Sequence, residues 1–583
     1  MLNDYFARLS VVLSQGEQIN DWLILEPTTT LWLYYTKVAG GKPLWQTANA
    51  FQSFITRLEK NQMEYDLGCE DIIRYAGQVK KDRFRVGQRD YGTVVLPPEM
   101  QNLESATYEL LLRFVQKGGR LVCFSRPTKI DGRDDERLAG LLDATQHPGV
   151  MFLSEPQELL ALYEQQAQAR IVVRQGNDVY HQRRQYQDGQ LLFLVNSSLQ
   201  DSAQVDFTLP GQNLYRLDAM TGSISACKPA SITLQPAGSA LFFASDQELP
   251  DAQEPESAYG ATVRSLQALN DITVSPLQPN ALSMDFCNIR VGEAQAQNLF
   301  YKEANSWLWR QAGMSDPWET AVQFRQDIVQ RDTFSMGDIW VEYPFFVEAG
   351  AEDCGLQAIV ERPDVWQVLV NDSLLHDWKA DTLLDSRCGV FRLDGLVQRG
   401  QNRLTLHLHK MSIMAELGPV MLTGRFVLRN AQHGFTLAPA SAPMRLGSWD
   451  VQGYPMYAWG VGYSTAYNIE KAEGHAYLLR MNRWNGTLAQ VFVNGQRAGI
   501  LMGQADQLDL TPQLKSGENA VEVRIFGSLK NLYGPHNGPA TGLMGPGSWS
   551  GIAEQRPGSS YDVIPYGLME PYEIMETVLN KAE

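Results

Sequence analysis

Cysteine is scarce in this sequence. Only six of its 583 residues are cysteines, and none of them forms a CxxC pair. A small scaffold held together by disulfides needs many closely spaced cysteines, so that class of protein is excluded. We expect isolated buried thiols in a reducing compartment. They belong to Cys69, Cys123, Cys227, Cys287, Cys354 and Cys388.

Long apolar runs and an excess of basic residues are also missing. No run reaches the ~18 apolar residues that a membrane span requires. The 49 basic and 66 acidic residues give a formal net charge of −17, which repels phosphate backbones. Residues 1–9 carry an early acid and no basic segment before an apolar stretch, so no signal peptide is predicted. We expect a soluble, cytoplasmic protein without nucleic-acid or membrane partners, unless its true start is missing.

Catalytic motifs are absent as well. No GxGxxG or GxxxxGK[ST] follows a predicted strand, which excludes the two common nucleotide-binding fingerprints. Cys123 lies inside an apolar strand rather than on a glycine-flanked elbow, so we interpret it as a buried strand residue and not a nucleophile. No two acids are marked by spacing as the pair that glycoside cleavage requires, and the catalytic residues stay unassigned. The acids considered are Glu342, Asp364, Glu416 and Asp450.

The first half of the chain contains two different patterns. Residues 1–166 alternate continuous apolar runs of strand length with segments of helical periodicity, which predicts an open α/β domain with a parallel sheet. Residues 167–248 contain strands and turn pairs only, which predicts a small β-sandwich. An acidic segment with two prolines, at 247–257, is the best candidate for a linker.

The second half contains an internal repeat. A strand ending in Asn371 and a strand ending in Asn494 are each followed by a Gly-x-Asn and a second alternating strand. Leu404, Leu406 and Leu408 in the first copy match three aliphatic residues in the second, and the period of two places them on one face of a sheet. We predict two tandem β-sandwiches, at 260–440 and 441–583, with the matching residues Val521, Val523 and Ile525 also facing inward.

Two histidines of the first repeat have the spacing of metal ligands. His407 and His409 project from the same face of a strand, but a zinc site needs at least three protein ligands and the sequence marks no third. Arg524 occupies the position of His407 in the second repeat, which favours a solvated outer face. We therefore expect no metal and no cofactor.

The last predicted domain combines aromatic residues with a glycine-rich loop. Aromatic rings stack on the apolar faces of sugars, and asparagine and histidine bond to hydroxyl groups. A carbohydrate site at the rim of this sandwich is one interpretation, and core packing of the same aromatics is the other. The predicted sugar-binding residues are Tyr457, Trp459, Asn531 and His536.

Several of these segments resemble a known group of enzymes. Residues 446–457, the turn at 493–495, the strand start at 517–519 and the loop at 529–536 look like the C-terminal region of large bacterial glycoside hydrolases. These are the family 106 α-L-rhamnosidase-like and family 2 types. The resemblance implies galactose-binding-like jelly-roll sandwiches. It also implies a flavodoxin- or amidotransferase-like α/β domain of the β-galactosidase trimerisation type, and a multidomain α/β plus all-β protein.

In that group the catalytic carboxylates are implied to lie on an N-terminal (β/α)8 barrel, onto which no residue here can be placed. Residues 4–16 look like the last helix of such a barrel. The main hypothesis is therefore an accessory carbohydrate-binding or scaffolding region with an oligosaccharide partner. The alternatives are an active glycosidase using acids of this chain or a barrel from another chain, and an oligomerisation module. A homo-oligomer is left open.

Overall fold

The computed structural model describes residues 2–36, 41–166, 170–228, 231–249, 252, 259–316, 334–382, 384–503, 506–537, 546–549, 551–552, 554–579. The chain is rich in β-strands and divides into two compact units. The first is Met1–Ala258 with Lys581–Glu583, and the second is Tyr259–Asn580. Among the described residues, no helix is long and apolar enough to cross a membrane.

The first unit begins with a five-stranded parallel sheet. Numbered along the chain, its strands lie in the spatial order 2-1-3-4-5, which is the order of flavodoxin-like doubly wound sheets. The first and third strands are buried along their whole length because helices cover both faces. In chain order, the strands are Trp22–Leu25, Asp66–Gly68, Thr93–Leu96, Arg120–Cys123 and Val150–Phe152.

Two hydrophobic clusters cover the two faces of this sheet. The helix Ser105–Gln116 buries Leu111 and Phe114 against one face, and Gly118 ends it with a φ of 87° that suits glycine. The remaining helices are Leu2–Ser14, Thr28–Tyr34, Lys42–Lys60, Glu70–Ala76, Arg137–Leu141 and Pro156–Glu164. Two small sheets are formed by Gly77–Lys80, Arg83–Val86 and Arg89–Tyr91, and by Asn102–Leu103, Lys129–Ile130 and Arg133–Asp134.

The rest of the first unit is a small module of two packed sheets. Val205, Phe207 and Leu192 lie in the core between them. The larger sheet has the order Glu17–Gln18, Val179–Gln185, Gly189–Asn196, Ser239–Ser245, Asn213–Leu217, Ile224–Cys227. The smaller sheet has the order Arg170–Gln175, Ala203–Thr208, Ile232–Leu234.

The N-terminal helix, Leu2–Ser14, packs on this module. Leu9 joins Leu191, Leu241 and Phe243 in one hydrophobic cluster on the outer face of the larger sheet. The guanidinium of Arg8 donates hydrogen bonds to the carbonyl oxygens of Ala219 and Met220, at 2.9 and 2.7 Å. The helix is thus an integral part of the first unit.

The second unit contains a large sandwich whose core includes Tyr343, Leu404 and Leu406. One sheet has the order Asn280–Met284, Val420–Gly424, Gln357–Glu361, Cys388–Arg392, Lys379–Ala380. The other has the order Ala294–Phe300, Phe286–Val291, Gly337–Val347, Gly400–Lys410, Gln367–Val370, Ser373–Leu375. The hairpin Phe426–Asn430 and Phe435–Pro439 joins its edge, and the helix Tyr301–Gln311 packs beside it.

A second sandwich takes strands from both ends of the unit. Tyr259–Leu266 pairs with Glu573–Leu579, and Thr273–Pro276 pairs with Gly460–Ile469. These first strands precede the large sandwich in sequence, so the large sandwich is inserted within the second. The remaining strands are His475–Arg480, Leu488–Val493, Gln496–Met502, Gln507–Asp509 and Gly517–Phe526, with a small sheet of Gly447–Ser448, Trp484–Asn485 and Gly567–Leu568. Short helical segments are Asp450–Gln452, Lys530–Tyr533, Pro546–Trp549 and Gly558–Ser560.

The inward face of the repeat is confirmed. Leu404 and Leu406 are buried in one core, Leu408 packs against it partly buried, and Val523 lies in the other core. Val521 and Ile525 are buried with Val523. The prediction of a solvated outer face is wrong in the first copy, because Thr405 and His407 are also buried. Trp340 on the neighbouring strand stacks on the His407 ring with centroids 3.8 Å apart and excludes water.

The repeated asparagines form the same hydrogen-bond network twice. Asn371 Nδ2 donates to Asn402 Oδ1 at 2.7 Å, and Asn371 Oδ1 accepts from the backbone N–H of Arg403 at 3.0 Å. In the second copy, Asn494 Nδ2 donates to Asn519 Oδ1 at 2.9 Å, and Asn494 Oδ1 accepts from a backbone N–H at 3.0 Å. Asn371 and Asn494 both have a positive φ, of 47° and 51°, which asparagine tolerates better than most residues. Each pair therefore fixes a turn against the start of a long strand.

Truncation of the inward residues is expected to destabilise each sandwich. Leu406→Ala or Val523→Ala opens a cavity in a packed core and should lower the free energy of unfolding by ~2 to 4 kcal/mol. Urea denaturation measures the loss. Leu374→Ala is the control, because this leucine is 42% exposed and its truncation should change little. Equal unfolding midpoints for Leu406→Ala and the control would contradict the expectation.

Removal of the buried asparagine should cost at least as much. Asn519 is fully buried and its Nδ2 donates to the carbonyl oxygens of Lys515 and Gly517, at 2.8 and 3.0 Å. Asn519→Ala leaves these groups without their partner and should lower the unfolding free energy by ~2 to 4 kcal/mol. Asn494→Gly keeps the left-handed turn and removes only the side chain, so a loss near ~1 kcal/mol is expected. A larger loss for Asn494→Gly than for Asn519→Ala would refute this order.

Candidate functional site

The structure places the four predicted sugar-binding residues in two pairs, Tyr457 with Trp459 and Asn531 with His536. Tyr457 is fully buried, and its hydroxyl donates to the carbonyl oxygen of Gly460 at 2.9 Å. Trp459 is half-buried, and its ring packs edge-on against Tyr457 with centroids 5.5 Å apart. Tyr457 thus belongs to the hydrophobic core of the second sandwich, while Trp459 keeps part of its surface.

Asn531 and His536 lie together in the loop that was predicted to hold a sugar, of which residues 538–539 lie outside the described residues. Asn531 Nδ2 donates to the carbonyl oxygen of Ile564, and Asn531 Oδ1 accepts from the Ile564 N–H, both at 2.8 Å. His536 Nε2 lies 2.8 Å from the carbonyl oxygen of Asn531. Asn531 therefore shapes the loop, and the second ring nitrogen of His536 is directed elsewhere.

That second nitrogen points toward a buried carboxylate that the sequence did not mark. His536 Nδ1 lies 3.6 Å from Asp285 Oδ2, and both side chains are almost fully enclosed. Among the described residues, no group donates a hydrogen bond to either oxygen of Asp285, and both amide atoms of the buried Asn537 also lack a described partner. Buried polar atoms usually have partners, because an unpaired one costs ~1 to 3 kcal/mol or more. We therefore take this region as the candidate functional site.

Asp285 occupies a special place in the chain. It lies between Asn280–Met284 in one sheet of the large sandwich and Phe286–Val291 in the other, so the chain crosses the core edge at this residue. Its carbonyl oxygen accepts from the Tyr301 N–H at 2.8 Å. Its two neighbours in the chain, Met284 and Phe286, are buried and apolar.

Asp285 also lines a cavity of about 390 Å³ in the large sandwich. This volume is typical of small-molecule sites. Phe346, 47% exposed, offers the largest free aromatic surface in the wall. The other aromatic wall residues are Phe286, Phe345, Phe435 and Tyr561, and the polar ones include Asn288, Asn298, Gln401, Gln432, His433 and Gln555.

Segments from the second sandwich close this cavity. Tyr561 packs with Phe435 in the core of the large sandwich, with centroids 5.0 Å apart. Its ring also stacks on His536, with centroids 5.4 Å apart. Burial, and then the charge of Asp285, raise the pKa of the Tyr561 hydroxyl above its ordinary value. Burial, and then the charges of Asp285, Glu416 and Glu361, raise the pKa of the Tyr301 hydroxyl to about 12. The hydroxyl groups of Tyr301 and Tyr561 therefore stay neutral and can donate hydrogen bonds.

The acids considered from sequence do not form a common site. Asp364 pairs with Arg362 at 2.8 Å, and Glu342 lies 3.9 Å from Arg403. Asp450 accepts a hydrogen bond from the Ser448 hydroxyl. Glu416 differs from the other three. The residue as a whole is exposed, but its carboxyl is partly buried. This burial, and then the charges of Glu361 and Asp316, raise the pKa of the carboxyl.

Cys123 is a buried strand residue, as predicted. Its side chain is fully enclosed, and burial raises the pKa of the thiol to about 12. A nucleophilic cysteine needs a lowered pKa, so this thiol is inert at neutral pH. All six cysteines carry free thiols, of which Cys287 and Cys388 are also buried.

A second cavity, of about 360 Å³ in the first unit, has a different character. Its charged groups are paired. Arg183 donates to the Glu64 carboxylate through two nitrogens, at 2.8 and 2.7 Å, and His181 Nε2 lies 3.3 Å from the same carboxylate. Gln190 Oε1 accepts from a third nitrogen of Arg183 at 2.8 Å. Because these partners satisfy one another, we assign this cluster a structural role.

No family model and no curated protein matches the chain. Among solved structures, a rhamnosidase from Novosphingobium sp. PP1Y is similar over 98% of this chain and 40% of its own length, at 12% identity and a TM-score of 0.48. A β-galactosidase from Bacillus circulans sp. alkalophilus covers 42% of this chain and 44% of its own, at 12% identity and a TM-score of 0.30. A β-galactosidase from Rahnella sp. R3 covers 41% of this chain and 44% of its own, at 14% identity and a TM-score of 0.28.

These solved structures are glycoside hydrolases, and this chain spans about two fifths of the length of the rhamnosidase. All three TM-scores lie below 0.5.

The Glu64–Arg183 pair should make the first unit sensitive to acid. Burial by itself would raise the pKa of Glu64, but the hydrogen bonds from Arg183 and His181 outweigh it and lower the pKa. A carboxyl with a lowered folded-state pKa stabilises the fold above its ordinary pKa of about 4.3, and this stability is lost as the pH falls below that value. Urea denaturation at pH 7 and below pH 4.3 should show the loss.

Glu64→Gln should cost ~3 to 5 kcal/mol at pH 7, because it leaves Arg183 buried without a countercharge. The variant should also lose part of the acid sensitivity. Glu164→Gln, at an exposed position on the helix Pro156–Glu164, is the matched control. An unchanged unfolding free energy for Glu64→Gln at pH 7 would overturn the structural role.

Proposed function

We propose that this chain is an accessory carbohydrate-binding and scaffolding region of a glycoside hydrolase, and that the cavity beside Asp285 is its saccharide site. The observation that carries the proposal is the buried carboxylate of Asp285, whose oxygens accept no hydrogen bond from the described residues and have the His536 imidazole 3.6 Å away. A carboxylate accepts hydrogen bonds from two neighbouring hydroxyl groups in the same geometry in which it accepts a bidentate donor. A sugar supplies such hydroxyl pairs.

The cavity wall supports the same ligand class. Phe346 presents an exposed ring for the apolar face of a pyranose, and the amides of Gln401 and Gln432 can donate to and accept from its hydroxyls. The Asp285 oxygens are enclosed, so a ligand hydroxyl that reaches them must displace part of the wall. The ligand would therefore contact the amides and Phe346 first.

His536 connects this cavity with the site predicted from sequence. Its ring contacts Asp285 on one side and Tyr561 on the other, while Asn531 holds its Nε2. We propose that His536 and Asn531 position the cavity, and that Tyr457 supports the second sandwich from its core. A direct sugar contact by the half-buried Trp459 stays a prediction.

A hydrolase that uses acids of this chain is the second candidate. It is favoured by one observation, the raised pKa of Glu416 beside Glu361 and Asp316. A carboxyl whose pKa is raised by burial and neighbouring acids has a property of the general acid in glycosidases. A catalytic barrel supplied by another chain and a pure oligomerisation module are the remaining alternatives.

We expect the full chain to bind a monosaccharide or short oligosaccharide weakly. One aromatic stack and a few hydrogen bonds correspond to a dissociation constant of ~0.1 to 1 mM, or ~4 to 5.5 kcal/mol. Calorimetric titration against a panel of sugars, with a polyamine as the cationic control, measures this. Asp285→Asn should weaken binding at least ~10-fold, because the amide offers one acceptor oxygen instead of two to a pair of sugar hydroxyl groups.

Comparison of Phe346→Ala with Leu374→Ala distinguishes the loss of a cavity residue from the loss of an ordinary surface residue. Both residues are similarly exposed, and of the two only Phe346 lines the cavity. Phe346→Ala should weaken binding, and Leu374→Ala should not. Absence of saturable binding to every sugar would refute the proposal. Turnover of aryl glycosides that is lost in Glu416→Gln would instead support the hydrolase.

A further inference from the structure

Three ligand-type side chains meet on the outer face of the large sandwich. In the ladder between Gly337–Val347 and Gly400–Lys410, Ile339 pairs with Leu408 and Trp340 pairs with His407. Asp338 therefore stands opposite His409 and diagonal to His407. The ligand atoms of Asp338, His407 and His409 all lie within 4.8 Å of one another.

The buried imidazole of His407 is held by contacts at both nitrogens. His407 Nδ1 lies 3.1 Å from Gln367 Oε1, and His407 Nε2 lies 3.0 Å from Asp338 Oδ1. The Trp340 ring stacks on the imidazole, and its Nε1 donates to Asp338 Oδ1 at 3.1 Å. Gln367 and Trp340 thus fix the direction of the imidazole and of the carboxylate, as the outer partners of metal ligands do.

The geometry between His407 and Asp338 suits a bound metal ion. A neutral imidazole that donates from Nδ1 to Gln367 presents a lone pair at Nε2, and that lone pair faces a carboxylate oxygen. Two lone pairs repel unless a proton or a metal ion lies between them. The neighbouring His409 ring, with its centroid 4.3 Å from that of His407, adds a second nitrogen to the same place. A shared proton would join only His407 and Asp338, whereas a metal ion would bind His407, Asp338 and His409 together.

We propose that Asp338, His407 and His409 bind one divalent transition-metal ion, with Zn²⁺ preferred. Two imidazole nitrogens and one carboxylate oxygen match the ligands of zinc sites that have three protein ligands and an open fourth position. Harder ions such as Mg²⁺ and Ca²⁺ prefer all-oxygen ligand sets, so they should not compete. This site is separate from the proposed saccharide cavity, since none of its three residues lines that cavity.

The test is metal binding by the full chain after treatment with a chelator. Titration with Zn²⁺ by calorimetry, and with Co²⁺ followed by its visible absorption, should show one ion per chain. His409→Ala and Asp338→Asn both change exposed residues, so the fold should persist while binding is lost. Gln367→Leu removes only the partner of His407 Nδ1 and should weaken binding ~10- to 100-fold.

His376→Ala is the matched control, because it removes another exposed histidine of the same sandwich. It should leave both the stoichiometry and the affinity unchanged. Zinc binding that survives His409→Ala and Asp338→Asn with equal affinity would overturn the proposal. So would the absence of binding, in which case His407 and Asp338 form a hydrogen-bonded pair only.

Discussion

The paired asparagines are the constraint on which both sandwiches of the second unit depend. Asn402 and Asn519 each stand at the start of the long central strand of a sheet, and each ties that strand to the preceding turn and to a hairpin. Side chains alternate along a strand, so a slip of one residue would exchange its core and solvent faces. The asparagines set the register at one end of each strand. This register determines which residues face the core and which form the outer cluster at His407.

The same framework explains where unpaired polar groups can persist. A packed sandwich core has little tolerance for a carboxylate that accepts no hydrogen bond, yet Asp285 lies at the edge of one and accepts none from the described residues. It persists because the surrounding sheets determine the path of the chain at this crossing. The loop that carries His536 and the segment around Tyr561 then enclose it. The packing of the rest of the sandwich offsets the free-energy cost of burying the Asp285 carboxylate, and such an offset is common at binding sites.

The sequence predicted those features that depend on local patterns. The period of two identified the inward residues Leu406 and Val523, and the Gly-x-Asn repeats identified two sandwiches. Features that depend on the pairing of strands distant in sequence could not be predicted. His407 is buried because Trp340, 67 positions earlier in the chain, covers it, and Asp338 became a third ligand candidate in the same way. Asp285 is a single acid between apolar strands, and its neighbour His536 lies 251 positions away, so no sequence signal connects them.

The insertion of one sandwich into the other has a consequence for dividing the chain experimentally. A fragment starting at residue 441 would lack the strands Tyr259–Leu266 and Thr273–Pro276. It would expose the edges of Glu573–Leu579 and Gly460–Ile469, which are 7 and 10 residues long. Long unpaired edges recruit strands from other molecules. Such a fragment would aggregate through these edges, and any self-association it showed would arise from the cut rather than from the protein.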